Sequence, residues 1–285
     1  MSQKKRPDRL AFTILAVPLI MLGLFFLGPF LVMLATSFYE RVPGGFYEEA
    51  FVWDSYRRLF TGVFMERTAF SILISILAGA LCIAVAFPFT YLLTRMRRRP
   101  HVAFLVLVLS ALSLSEVIVG FSWSVLLGRA AGVPNVLEWV GLVEEAEAWA
   151  PGFWAVVMGL CYIAFPYCVL TLYPPLSRLD REVTEAAETL GASAWRTFWT
   201  VVVPISRPVI AAGFLLVFVF TLGSYLISAI LGRPEHWTLS VFISDQASFN
   251  ANVPFAAAMA LFLTILSLGV VGAVMVVEGR TRREA

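Results

Sequence analysis

Five stretches of this chain contain no charged residue: Leu10–Tyr39, Thr68–Thr94, Ala148–Ser177, Pro208–Gly232 and Gln246–Val277. Each exceeds the roughly 20 residues that carry a helix across about 30 Å of hydrocarbon. A sixth, Pro100–Gly128, is interrupted only by Glu116. The runs are apolar throughout instead of alternating, which argues against barrel strands. A helix in lipid also satisfies its own backbone. Composition agrees: of 285 residues, 60% are apolar and 14% charged. A soluble globule of that make-up would expose large apolar patches, so a soluble enzyme, a disordered chain and a nucleic-acid module are excluded. The expectation is an all-α, polytopic membrane protein with six transmembrane helices. The first run follows Lys4, Lys5, Arg6 and Arg9, but a secretory apolar region spans only about 7–15 residues. It is read as a membrane anchor, peripheral to a five-helix core.

Basic residues orient the spans. With the N-terminus in the cytoplasm, inner segments hold Lys4, Lys5, Arg6, Arg9, Arg95, Arg97, Arg98, Arg99, Arg178, Arg181, Arg196, Arg207, Arg280, Arg282 and Arg283, which is 15 of the 21 basic residues. The outer segments hold the other 6, and the asymmetry places both termini inside. Arg95–Arg99 is then a topology anchor. The expected organisation is a cytoplasmic tail (1–9), a first transmembrane helix (10–39), an external loop (40–67), a core (68–277) with a cytoplasmic loop at 178–207, and a second tail (278–285). Acidic residues Glu138, Glu144, Glu145 and Glu147 cluster in the second outer loop.

Catalytic and metal-binding constellations are missing from the sequence. The two histidines, His101 and His236, fall in separate loops, and neither an HExxH nor a Cys/His cluster occurs. Cys161 and Cys168 lie seven apart, about 10 Å along a helix and beyond disulfide reach, so with Cys82 they are read as core residues. The only lysines are Lys4 and Lys5, so the chain cannot form a Walker A loop. ATP-driven work would need another subunit to hydrolyse the nucleotide.

The most specific segment is Ser177–Arg207. Pro174-Pro175 is expected to end the preceding helix, and Asp180 to cap the next, with Glu182 and Glu185 early in it, where the helix dipole favours acids. Arg181 and Glu185 stand four apart, where they can pair. Gly191 suits the left-handed position that stops a helix. Ser193 can cap a second helix, which carries a stripe of Trp195, Phe198, Trp199 and Val202 and ends at Pro204. Two short helices at a bend fit either an amphipathic hairpin lying on the membrane or a docking element.

Glu185-Ala186-Ala187, then Gly191-Ala192, Phe198 and Pro204 resemble the EAA loop of type I ABC-importer permeases. Pro166-Tyr167, Leu179-Asp180 and Pro208 flank it in the same manner, and the resemblance extends over about Ala69 to Val277. Many members carry Asp where this chain has Thr189, which leaves the docking role intact. Leu190-Gly191-Ala192-Ser193 is similar to the polyamine-type branch. The resemblance implies the type I permease fold in a bacterial inner membrane and a non-catalytic subunit forming half of a pathway. It also implies two ABC ATPase subunits carrying ATP and Mg, a second permease, identical or related, and an extracytoplasmic substrate-binding protein. Glu185, Ala186, Ala187, Gly191, Ala192, Trp195, Phe198 and Pro204 would couple to the ATPase. No cofactor or metal is expected in this chain.

Glu116 is the one charge inside an apolar run. It is either a counter-ion for a cationic substrate or an acid hydrogen-bonded to Ser113, Ser115 or a neighbouring helix. Trp123 lies two turns on, placed either for cation–π contact or as an interfacial tryptophan. Ser224 and Tyr225 are polar positions in the fifth run and candidate path residues, or satisfied hydrogen-bonding groups. Pro166 is expected to kink the fourth helix. The favoured substrate is a small cation such as spermidine or putrescine. The alternatives are a ferric ion, thiamine, a sugar or an inorganic anion, or a secondary transporter not driven by ATP.

Overall fold

The structure, a computed structural model, describes residues 9–284 except 43, 46 and 131, with side chains described from 15 to 276. The basic residues Lys4, Lys5 and Arg6, and the side chains of Arg9, Arg280, Arg282 and Arg283, lie outside what is described. Among the described residues the chain is helical, and the only extended pairing is an isolated bridge between Glu40 and Glu48. Two compact units are present, 1–61 with 243–264, and 62–242 with 265–285.

In the first unit, helix α1 runs Arg9–Leu22, passes through a π turn at Gly23–Leu27 and continues as Gly28–Thr36. From Leu15 to Ala35 it buries no residue within the chain, as suits a helix whose solvent is lipid, and only Thr36 at its end is buried. Beyond it Phe38, Phe51, Trp53 and Tyr56 pack ring to ring, and Tyr56 Oη lies 2.8 Å from Ser37 Oγ.

The second unit is built on two long helices, α2 (Gly62–Arg95) and, after the third run, α5 (Phe153–Ser177). The third run is not one helix. It is α3 (Arg98–Ala111) and α4 (Glu116–Leu126), bent by 98° about Leu112–Ser115. After α5 come the loop helices α6 (Arg181–Thr189) and α7 (Ala194–Ile205), then α8 (Arg207–Gly223), bent 73° from α7. The fifth run is also broken, since Ser224 and Tyr225 leave helical geometry before α9 (Leu226–Leu231). Two further helices are α10 (Leu239–Ser248) and α11 (Val253–Glu284). The last run therefore begins inside α10, and its long helix starts only at Val253, because Phe249–Asn252 form a turn in which Asn252 N–H donates to the Gln246 carbonyl. Among the described residues four helices are long and apolar enough to span alone, and up to six spans result if each bent pair is one.

Packing explains why α2 and α5 lie at the centre. One cluster joins Phe87, Leu93, Cys168, Leu172, Val202 and Val217, and another joins Ile74, Ala78, Val156, Leu160, Ile227 and Leu231. Close approach depends on small residues, as between membrane helices generally. A Cβ at Gly159 would stand 2.6 Å from Leu231 Cδ1, so α5 and α9 meet only because the glycine has none. The three cysteines are free, with Cys82 and Cys168 fully buried. The prolines prove more permissive than expected. α5 continues unbroken through Pro166, Pro174 and Pro175 and stops at Ser177. His101 sits in the first turn of α3, not in a loop, with Nδ1 2.8 Å from the Leu93 carbonyl and Nε2 3.0 Å from Tyr173 Oη.

Candidate functional site

The loop after α5 is fixed by local chemistry. Asp180 Oδ1 accepts the Glu182 N–H at 3.1 Å and starts α6. The helix closes with paired bonds from Gly191 N–H to Glu188 O and from Ala192 N–H to Ala187 O, and Gly191 adopts φ +86°. Nothing lies within 4 Å of a Cβ built at Gly191, so backbone conformation and not space demands glycine there. Ser193 Oγ accepts from Arg196 N–H at 3.3 Å and starts α7. α7 does not end at Pro204. It runs through a π turn at Phe198–Val202, in which Val203 N–H bonds the Phe198 carbonyl, and it stops at Ile205. Pro204 comes directly after that widened turn and has no N–H to place in it. Arg181 and Glu185 make no ion pair among the described residues.

Glu185, Ala186 and Gly191 are exposed, with Ala187 and Ala192 half-buried. Leu190 is 89% exposed and Trp195 71%. A tryptophan and a leucine left open beside two small residues form a surface with the anatomy of a protein contact. Phe198 instead faces α2, 5.6 Å from Phe87 and 5.5 Å from Tyr91.

The second constellation lies where the two broken runs meet. Glu116 is the first residue of α4, where the helix dipole favours its carboxylate. Ser224, at the break after α8, donates to Glu116 Oε1 at 3.3 Å. The break itself is satisfied from elsewhere. Thr238 Oγ1 donates to the Ser224 carbonyl at 3.4 Å and Ser240 Oγ to the Leu222 carbonyl at 2.9 Å, while the Leu239 N–H, at the start of α10, donates to Ser71 Oγ at 2.6 Å. Irregular backbone is stable at membrane depth only when supplied with such partners. A cavity of about 200 Å³ opens beside Glu116, walled by Tyr162, Pro166, Tyr167 and Phe220. Tyr167 and Phe220 are ring neighbours at 5.3 Å.

The structure thus joins Glu116 and Ser224 by a hydrogen bond, and gives neither of the other two expected path residues a place in the wall of the cavity beside Glu116. Trp123 lines a larger, mainly apolar cavity of about 700 Å³, edge-on to Tyr162 at 5.8 Å. Tyr225 is 41% exposed and lines neither cavity. Residues not singled out from sequence are Tyr162, Phe220, Thr238, Ser240 and Ser71. Ser71 is a hydroxyl within an apolar run, the one signal available for it, whereas Thr238 and Ser240 fall between two runs and carry no such signal. Among the described residues no three His, Cys, Asp or Glu side chains gather as a metal site.

Comparison with known proteins agrees with this architecture. The chain is 29% identical over 264 residues to the spermidine/putrescine transport system permease protein PotB of Escherichia coli, covering 92% of this chain and 94% of that one. It is 32% identical over 163 residues to the molybdenum transport system permease protein ModB of Haemophilus influenzae, covering 55% and 68%. The fold matches a chain of a bacterial ABC transporter involved in import of the acidic polysaccharide alginate, with TM-score 0.74 at 18% identity over 97% of this chain and 96% of that one. Residues 4–283 match one family, and the chain belongs to it: the inner membrane component of binding-protein-dependent transport systems, a non-catalytic permease subunit.

Proposed function

We propose that this permease imports a small organic polycation of the polyamine class, with Glu116 receiving an ammonium group. The reading is carried by the junction of the two broken runs. A carboxylate, the last turn of α8 at Phe220, and the rings of Tyr162 and Tyr167 border one cavity of about 200 Å³. An acid, a helix C-terminus and aromatic faces all favour a cation and disfavour an anion. The 29% identity to PotB, a spermidine/putrescine permease, supports the same substrate class. The working assembly pairs this subunit with a second permease, two ATPase subunits that bind ATP and Mg, and an external binding protein. Both termini and the loop at 178–207 face the cytoplasm, where Glu185, Ala186, Ala187, Gly191 and Trp195 meet the ATPase. Nucleotide-driven closure of the ATPase pair then shifts the bundle between inward-open and outward-open states. The test is Glu116→Gln in the complete transporter. Apparent affinity for polyamine uptake is expected to fall about tenfold or more, as for loss of a charge-assisted contact. Unchanged affinity removes Glu116 from the path.

A further inference from the structure

The covalent chain leads from the loop to α5 on one side and α8 on the other, yet its aromatic contacts lead to α2. Phe198 sits against Phe87 and Tyr91, which stand four apart on one face of α2. One turn further along α2, the Arg95 guanidinium lies 5.2 Å from the Tyr91 ring centroid. On its other side Phe198 contacts Trp195 at 6.3 Å and Trp199 at 5.3 Å, so a column of rings links the exposed Trp195 to α2. Phe198 also opens the π turn, a local widening that recurs at functional positions in helices because it shifts the register of the residues beyond it.

We propose that Phe198, held between Phe87 and Tyr91, is a positioning residue that relays movement of the loop to α2. This rests on the docking reading of the loop. α2 lies along α8, where a Cβ at Gly79 would come 2.9 Å from the Phe214 ring, so a shift of α2 cannot leave α8 in place. Loop movement therefore reaches the bundle by three helices instead of two.

The test uses the complete transporter in proteoliposomes with its ATPase and binding protein. It reads substrate imported per ATP hydrolysed and the amount of ATPase that co-purifies. Phe87→Leu and Tyr91→Leu are each expected to lower uptake per ATP about threefold to tenfold, the effect of one lost aromatic pair, with ATPase co-purifying as in the parent. Tyr91→Phe keeps the ring and is expected to restore coupling. The Tyr91→Leu/Phe198→Leu double variant should lose less than the two single variants summed, since both remove the contact between these two rings. The relay is overturned by unchanged uptake per ATP in both leucine variants, by Tyr91→Phe no better than Tyr91→Leu, or by full additivity. Failure of the docking reading shows separately, as ATPase that co-purifies undiminished with Trp195→Ala.

Discussion

The loop at 178–207 and the junction around Glu116 are both made of helix ends, and they are held by opposite means. In the loop every end is closed by a neighbour in sequence: Asp180 two residues before its donor, Ser193 three before its own, and Gly191 within the turn it terminates. At the junction, bonds from far along the chain add to the local turns that close α3 and α8. Ser224 reaches Glu116 across 108 residues, and Leu239 reaches Ser71 across 168. The first region is a prefabricated part whose outer face is left open. The second exists only once the bundle has assembled.

The comparison yields predictions of descending size. If the open face of the loop is a contact surface, Trp195→Ala removes its largest exposed anchor and is expected to weaken ATPase association by about 2 kcal/mol or more. Quantitative co-purification checks this, and undiminished recovery means the face is not a contact. Gly191→Val forces a β-branched residue to φ +86° with no steric clash to confuse the outcome. A cost of about 1–2 kcal/mol in loop geometry is expected, with uptake reduced about tenfold. Normal uptake would show that the bend can be redrawn without loss. At the junction, Ser224→Ala deletes a long hydrogen bond worth about 1 kcal/mol. Its expected effect on uptake affinity, about twofold to fivefold, is smaller than that of Glu116→Gln. An equal or larger effect would move the site's centre to Ser224.

Legibility divided along the same line. The capping residues of the loop are short-range signals, and the structure places Asp180, Gly191 and Ser193 where the sequence pattern puts them. The prolines misled because their position within the turn matters. Pro174 and Pro175 fall in the last turns of α5, and Pro204 comes after a π turn, so none of them ends its helix. Glu116 stands out as a charge in an apolar run, but nothing in that run announces the 98° bend that makes it a helix N-terminus. Trp123 shares a helix face with Glu116 by spacing, yet it lines the larger, mainly apolar cavity on the other side of a wall that includes Tyr162 and Pro166.

Whatever depends on composition and near neighbours could be read directly from the residues: the apolar runs, the helical class, the caps and glycine of the loop, and the lack of a lysine for a Walker A loop. Where two apolar runs break, and which side chains meet there, emerged from packing across the helices. The break at Ser224 stands where the hydroxyls of Thr238 and Ser240 take up freed carbonyls. That condition is set by packing across the bundle and has no local signature in the chain.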